Sequence, residues 1–215
     1  MDNQEYELYR RTAEVYITKG IKNITMDDMA KELKVSKKTL YKYVKDRPEL
    51  AAKSMQWQLE HDKKVINGIL AKNLNAVEEL CELSNFHMAN VQKLHPSVHR
   101  DLQKYYKESW TQFVEYLTVF LHNTILGNIN KGIKEGLYRN DFNAEVITKL
   151  YISKADIVFN ADVFPVNKFN FGEVYMEMVK YHLSGIANEK GLREMHRLVD
   201  FKCGLATPSK ELQTL

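Results

Sequence analysis

The chain has 215 residues, and its 31 lysines and arginines against 28 aspartates and glutamates leave a net charge of only +3. This balance excludes a polybasic tail and a protein that coats nucleic acid along its whole length, but it permits a small basic patch. Cys81 and Cys203 match no disulfide or metal spacing, which points to a reducing compartment. The polar, acidic start and the lack of an apolar run of about 20 residues predict a cytoplasmic protein without a signal peptide or membrane span.

Apolar residues recur at three- and four-residue spacing along most of the chain, while glycine (9) and proline (4) are scarce. This pattern predicts an all-α protein of about nine helices. The first helix carries Tyr9, Ala13 and Tyr16 on one face and ends at Gly20. The remaining helices are predicted at residues 25–33, 36–44, 46–70, 75–94, 101–135, 143–160 and 171–188.

Several residues mark the ends of these elements. Thr25 and Ser36 are favourable N-caps, and Asp28 stands where it completes a capping box with Thr25. Gly136 is expected to take the left-handed backbone that ends a helix. The segment 161–170 is predicted as a loop, and the polar tail after residues 207–209 is expected to fray.

Positive charge is concentrated in a basic window, residues 34–47, where six basic residues stand against Asp46 alone. The rest of the chain is therefore slightly negative. A short basic element attached to a neutral body is the electrostatic pattern of a small nucleic-acid reader.

Two short helices joined by a tight turn, the second of them basic, form the helix-turn-helix pattern. Met29, Ala30 and Leu33 are expected on the inner face of the first helix, with Leu40 and Val44 facing them from the second. In this motif the N-terminal part of the second helix enters the major groove of DNA.

The outward positions of this motif carry donors suited to DNA. Lys37 and Lys38 stand where they can donate to guanine acceptors, Thr39 and Tyr41 offer hydroxyls to phosphates, and the helix start at Thr25 offers backbone amides. The predicted DNA contacts are Thr25, Ser36, Lys37, Lys38, Thr39, Tyr41, Lys42, Lys45 and Arg47.

The stretch from Thr25 to Leu50 resembles the DNA-binding domain of the TetR family of bacterial transcriptional regulators. Its most specific parts are the turn at residues 35–36, Thr39-Leu40-Tyr41, and residues 43–47. The resemblance covers about residues 5–55, and a weaker one covers residues 132–141. The family usually has glycine at the position of Lys34, a small residue or proline at Lys38, and phenylalanine at Val44.

The resemblance implies a homodimer with two domains, a helix-turn-helix domain at residues 1–46 and a helical effector-binding and dimerisation domain at residues 47–215. The protein would then be a repressor that a small-molecule effector releases from a palindromic, double-stranded operator. Arg47 stands at a family position that often contacts phosphate. The helices predicted at residues 143–160 and 171–188 correspond to the family's dimer interface. Their candidate interface residues are Val146, Leu150, Ile157, Val174, Met178 and Tyr181.

Aromatic residues in the C-terminal half are candidates for an effector pocket, although such a stripe also fits ordinary core. Trp110 and Phe113 lie in the middle of the aromatic helix, and polar groups around them would orient a ligand. The candidate effector-binding residues are Phe86, His87, Asn90, Trp110, Phe113, His122 and Tyr151.

No motif for catalysis, cofactor binding or metal binding accompanies these features. His95 and His99 are four residues apart, but Pro96 interrupts them and no ligand cluster surrounds them. Three functions therefore remain open: an effector-controlled DNA-binding regulator, which the basic window favours; a helical ligand-binding protein or enzyme with a silent motif; and a regulator controlled by a protein partner. The sequence leaves the effector, the operator and the sign of regulation undetermined.

Overall fold

The structure, a computed structural model, describes residues 3–158 and 160–199. Eleven α-helices are present in these residues, two more than the sequence predicts, and there is no β-strand among them. A single antiparallel bridge joins Tyr138 to Ala187. The helices are α1 (Asn3–Lys19), α2 (Met26–Leu33), α3 (Lys37–Leu40), α4 (Arg47–Leu70), α5 (Ala76–Val91), α6 (Val98–Tyr105), α7 (Lys107–Glu115), α8 (His122–Lys134), α9 (Ala144–Val158), α10 (Phe171–Ile186) and α11 (Glu189–Val199), with a π-helical segment (Tyr116–Leu121) joining α7 to α8.

The aromatic stretch differs most from its prediction. The sequence predicts one helix over residues 101–135, but the backbone breaks at Tyr106, where φ is −125° and ψ is 68°. The Tyr106 side chain is buried, and its ring lies beneath the Arg47 guanidinium, with 5.9 Å between the guanidinium carbon and the ring centre. Tertiary packing therefore overrides a continuous helical periodicity here.

Two further boundaries were wrong. Helix α5 ends at Val91, three residues before its predicted end at residue 94. Helix α6 begins at Val98, three residues before the predicted start at residue 101. Helix α11 was not predicted. Its few apolar positions, Leu192 and Met195 among them, pack against the core of the C-terminal half.

A first core holds the N-terminal helices together. Tyr9 from α1, Met29 from α2, Leu40 from α3 and Leu50 from α4 are fully buried, and Leu102 of α6 packs into the same core. The predicted inner faces of α2 and α3 are thereby confirmed. Because α4 and α6 complete this core, the motif is packed directly against elements of the larger half.

A second core lies in the C-terminal half, and within it a cluster of buried polar side chains joins α5 to α8. Asn128 donates to the carbonyl of Ala76 at 2.9 Å and to Glu79 Oε1 at 2.8 Å, and Lys131 pairs with Glu79 Oε2 at 2.6 Å. Tyr138 donates to the same Ala76 carbonyl at 3.0 Å. The buried Glu79 carboxylate is thus both hydrogen-bonded and paired, as a buried charge requires. Gly136, with φ of 67°, ends α8 as predicted.

Candidate DNA-binding surface and effector cavity

The turn between α2 and α3 is built by local capping. Thr25 accepts from the backbone amide of Asp28 at 3.1 Å, and the Asp28 carboxylate accepts from the Thr25 amide at 3.1 Å, which confirms the predicted capping box. At the other end of α2, Lys34 takes a left-handed backbone with φ of 55°. The amide of Val35 reaches back to the Ala30 carbonyl at 3.0 Å, the bond that defines a Schellman turn.

Helix α3 begins at the predicted cap but is shorter than expected. The Ser36 hydroxyl accepts from the Thr39 amide at 3.0 Å, and regular α-helix extends only over Lys37–Leu40. The chain then continues as tighter turns, with the Tyr43 amide bonded to the Leu40 carbonyl at 3.0 Å, as far as the buried Val44. The outward residues nevertheless keep their helical positions through Tyr41.

Most predicted DNA contacts lie together on the solvent side of this motif. Lys37, Lys38, Lys42 and Lys45 are exposed, and Tyr41 has 46% of its surface exposed. Thr25 and Ser36 are exposed too, at the starts of α2 and α3, and Thr39 is half-buried. Exposed lysine ammonium groups and hydroxyls on one side of a motif are suited to phosphate and base-edge contacts.

Two of these side chains already have protein partners. Lys37 Nζ lies 3.0 Å from Asp27 Oδ2, and this hydrogen bond raises the pKa of the Lys37 ammonium. Arg47 is half-buried and donates through Nη1 to the carbonyls of Lys22 at 3.1 Å and Ile24 at 3.3 Å. Arg47 therefore fastens the α1–α2 connection to the start of α4, a role that the sequence did not indicate.

A central cavity of about 220 Å³ lies between α4, α5, α6, the α7–π segment, α9 and α10. Four of the seven candidate effector residues form part of its wall: His87, Asn90, Phe113 and Tyr151. Met178, predicted in the dimer interface, lies in this wall as well. The wall also includes Ile17 of α1, so the cavity reaches the N-terminal core.

Three candidates lie outside the wall. Trp110 packs against the N-terminal core and edge-on to His99, with 5.2 Å between ring centres. Phe86 packs in a smaller cluster with Leu59 and Tyr116, and His122 lies 3.1 Å from Glu145 on α9.

Asp62 is the wall residue that the sequence analysis missed. Its carboxylate accepts from Gln58 Nε2 at 2.8 Å, and burial raises its pKa from 3.8 to about 6. A signal was present, because Met55, Leu59, Asp62 and Ile66 recur at three- and four-residue spacing. An acidic residue on the apolar stripe of a helix is a site candidate.

Helices α9 and α10 carry an apolar outer face. Val146, Leu150 and Ile157 on α9 are each at least half exposed, and Tyr181 on α10 is 74% exposed. Val174 is half-buried beside them. Isolated exposed apolar residues are common, but several of them sharing one face indicate a surface that a partner covers.

Other sequence features carry no site in the described part of the chain. His95 Nδ1 accepts from the Ser97 amide at 3.2 Å, while the His99 ring packs edge-on against Trp110, so the two rings have different partners. No group of three or more potential metal ligands occurs among the described residues. None of the described helices is long and apolar enough to cross a membrane. Cys81 is buried, and Cys203 lies outside the described residues.

Comparison with known proteins agrees with this arrangement. Residues 8–52 match the model of the bacterial regulatory proteins of the tetR family. The uncharacterized HTH-type transcriptional regulator YvaF of Bacillus subtilis is 23% identical over 172 residues, which cover 78% of this chain and 88% of that protein.

Solved structures share the fold. The transcriptional regulator FadR from Bacillus subtilis, in complex with stearoyl-CoA, superposes with a TM-score of 0.65 at 17% identity over 86% of this chain and all of that chain. A regulator from Saccharomonospora viridis, in complex with choline, superposes with a TM-score of 0.67 at 14% identity over 88% of this chain and all of that chain.

A capped helix-turn-helix motif with exposed lysines, packed on a larger helical body, defines a DNA-binding transcriptional regulator. Its residues 8–52 match the DNA-binding region of the bacterial regulatory proteins of the tetR family.

Proposed function

We propose that this protein is a repressor that binds a palindromic operator as a homodimer and leaves it when a small molecule occupies the central cavity. The observation that carries the proposal is that some residues of the cavity wall also belong to the core that supports the helix-turn-helix motif. Ile17 of α1, with Val98 and Leu102 of α6, faces the cavity, and Val98 and Leu102 also belong to the core that supports α2 and α3. An occupant therefore contacts residues that position the motif.

Hydrogen bonds connect the same regions. The His95 amide, just before α6, donates to the Ile17 carbonyl at 2.7 Å. Asp101 on α6 accepts from the Lys22 amide at 3.3 Å and from the Ser97 hydroxyl at 2.9 Å. A ligand that displaces α6 would move the α1–α2 connection and change the distance between the two motifs of a dimer. Release requires that the ligand prefers that second arrangement.

The DNA contacts follow from the exposed side of the motif. We assign Lys38 and Lys42, with Lys37 after it leaves Asp27, to base edges and phosphates, and Tyr41, Thr39 and Ser36 to phosphates. The backbone amides at Thr25 would bind a further phosphate. Lys45 lies at the edge of this surface. The apolar outer face on α9 and α10 would pair with its own copy across a two-fold axis.

The central cavity favours a small-molecule signal over a protein signal. A regulator controlled by a protein partner has no need for an internal space, whereas a cavity of about 220 Å³ exceeds the roughly 150 Å³ that holds benzene in an engineered apolar site. Stearoyl-CoA and choline, bound by the two structural relatives, are examples of ligands for this fold.

The test is selection of random duplex DNA on the purified full-length protein at moderate salt, followed by sequencing. We expect an enriched palindrome whose half-sites are about 34 Å apart, or a multiple of that distance. Lys42→Ala should reduce enrichment, and a reporter that carries the palindrome should be silenced by the wild-type protein. A folded dimer that enriches no sequence would favour the alternative of a ligand-binding protein with a silent motif.

A further inference from the structure

The wall of the central cavity has an uneven distribution of charge. Most of its residues are apolar, including Leu80, Leu83 and Ile125. Among the described residues, Asp62 is the only carboxylate in the wall, and neither lysine nor arginine is part of it. A ligand in this space therefore meets one potential negative charge and no permanent positive charge.

Few groups of the protein stabilise the negative charge of the Asp62 carboxylate. Its hydrogen-bond partner is the neutral amide of Gln58, one turn earlier on α4, at 2.8 Å. No ion pair of Asp62 occurs in the described residues. The Asp62 side chain is half-buried, and a partly desolvated carboxylate without a counter-charge is unfavourable, so burial raises its pKa to about 6. At neutral pH, a positively charged ligand would stabilise the ionised Asp62 carboxylate more than a neutral or negatively charged one.

The buried histidine of the wall does not supply that cation. Burial lowers the pKa of His87 to about 4, so this imidazole is neutral at pH 7. The nearby Tyr116 hydroxyl is buried without a hydrogen-bond partner in the described residues, and Asp62 contributes to the raised pKa of its phenol. Phe113, Tyr116 and His99 place aromatic rings in the wall of the same cavity. Aromatic rings near a carboxylate favour organic cations over anions.

We infer that the central cavity binds a small lipophilic organic cation whose ammonium group pairs with Asp62 and whose apolar part lies among Leu80, Leu83 and Ile125. Scaling from benzene in about 150 Å³, the cavity holds about nine non-hydrogen atoms. The inference rests on the proposed function, since it specifies the chemical class of the effector. It predicts that free fatty acids and other carboxylates are excluded, because each would place a second negative charge beside Asp62.

The position of Asp62 on α4 links ligand binding in the cavity to the DNA-binding half. Asp62 lies on α4, the 24-residue helix that starts at Arg47, and Arg47 fastens the α1–α2 connection. An ammonium group drawn to Asp62 acts on the same helix that carries Arg47. A neutral molecule of the same shape fills the apolar space without this attraction.

The experiment measures binding of three probes of matched size to the full-length protein by calorimetry at pH 8. The probes are 2-phenylethylammonium, the neutral 2-phenylethanol and the anionic phenylacetate. We expect the cation to bind about tenfold or more tightly than the alcohol, and phenylacetate to bind most weakly. Asp62→Asn, which keeps the size and the Gln58 contact, should abolish the preference for the cation while 2-phenylethanol still binds.

Glu60→Gln is the matched control. Glu60 lies two residues earlier on α4, its side chain is 57% exposed, and it pairs with Lys63 at 2.8 Å outside the cavity. This substitution removes the same charge from the same helix and should leave the preference unchanged. A second measurement uses only the wild-type protein: at pH 5 the Asp62 carboxyl is mostly protonated, and the preference for the cation should shrink several-fold. The other titratable groups among the described residues of the wall are His87, His99, Tyr116, Tyr151 and Tyr175, and no lysine or arginine is among them.

Three results would overturn the inference: equal or tighter binding of the alcohol or phenylacetate, an undiminished cation preference in Asp62→Asn, or no binding of the cation. The proposed function fails on a different observation, the absence of operator enrichment, which is measured without any ligand. If phenylacetate bound and released the operator, the inference would be wrong while the effector-controlled regulator would stand.

Discussion

Lys37 Nζ lies 3.0 Å from Asp27 Oδ2, so a carboxylate of α2 holds the first lysine of the recognition helix in the free protein. Both side chains are about half exposed or more, and water screens such a pair strongly. In the proposed DNA complex, Lys37 would exchange the Asp27 carboxylate for a phosphate or a guanine edge. Asp27 would then compete with the operator for Lys37.

Removal of this competitor should strengthen DNA binding. We expect Asp27→Asn to bind the operator about two- to fivefold more tightly at low salt, and the gain should shrink as salt increases. Glu32→Gln on the same helix is the control, because Glu32 pairs with Lys19 at 2.6 Å instead. Titration of labelled operator at several salt concentrations measures the effect. An equal gain from both variants would show that only the net charge matters.

Arg47 and Lys42 should respond differently to truncation. Lys42→Ala removes an exposed ammonium, so operator affinity should fall and the salt slope should decrease by about 1. Arg47→Ala removes hydrogen bonds to the Lys22 and Ile24 carbonyls, and we expect it to lower the free energy of unfolding by about 1–2 kcal/mol with little change in salt slope. Salt-dependent binding and denaturant unfolding of both variants distinguish these roles. A slope reduced equally by both would return Arg47 to the phosphate contacts.

The contrast between these residues shows what the sequence could and could not supply. The capped helix-turn-helix motif depends on contacts within a few residues, such as Thr25 with Asp28, and these were predicted correctly. The role of Arg47 depends on carbonyls more than 20 residues earlier, and the break at Tyr106 depends on packing with Arg47. Asp62 was visible on the apolar stripe of α4, but only the fold shows that this stripe faces a cavity.

The left-handed backbone at Lys34 should be relieved by glycine. A residue with a side chain pays about 1–2 kcal/mol there, while glycine loses about 0.5–1 kcal/mol more entropy on folding. We expect Lys34→Gly to raise the free energy of unfolding by about 0.5–1 kcal/mol. Lys34→Ala, which removes the charge but keeps the strained backbone, is the control and should produce no such gain. Similar stabilisation by both variants would mean that charge, not φ, limits this position.

Asp62 should make stability depend on pH. Its folded pKa of about 6 lies above the ordinary value of 3.8, so the stability linked to its protonation is fully present below pH 3.8 and is lost as the pH rises through 6. We expect Asp62→Asn to be more stable than wild type by about 1–2 kcal/mol at pH 8, and the difference to vanish near pH 4. Because Asp62 is only half-buried, solvent screening keeps the effect below the roughly 3 kcal/mol that the full shift implies.

Denaturant unfolding of both proteins from pH 4 to pH 8, at one protein concentration, measures this difference. His87 and Tyr116 face the same cavity, but their contributions are common to both proteins and cancel in the comparison. A stability difference that does not change with pH would mean that Asp62 stays ionised and solvated in the folded protein. Glu60→Gln should follow wild type throughout the range.

Leu150 should be essential for assembly although it contributes little to the folded protomer. It is 55% exposed on α9, beside Val146 and Ile157, so a glutamate there costs the isolated protomer little but places a charge in the proposed two-fold interface. We expect Leu150→Glu to be helical and monomeric by light scattering and to lose operator binding by about a hundredfold or more, because one motif alone makes half of the contacts. Val119→Glu, 54% exposed in the π-helical segment, is the matched control and should remain dimeric. If Leu150→Glu stayed dimeric and bound the operator normally, the interface would lie elsewhere on the protein.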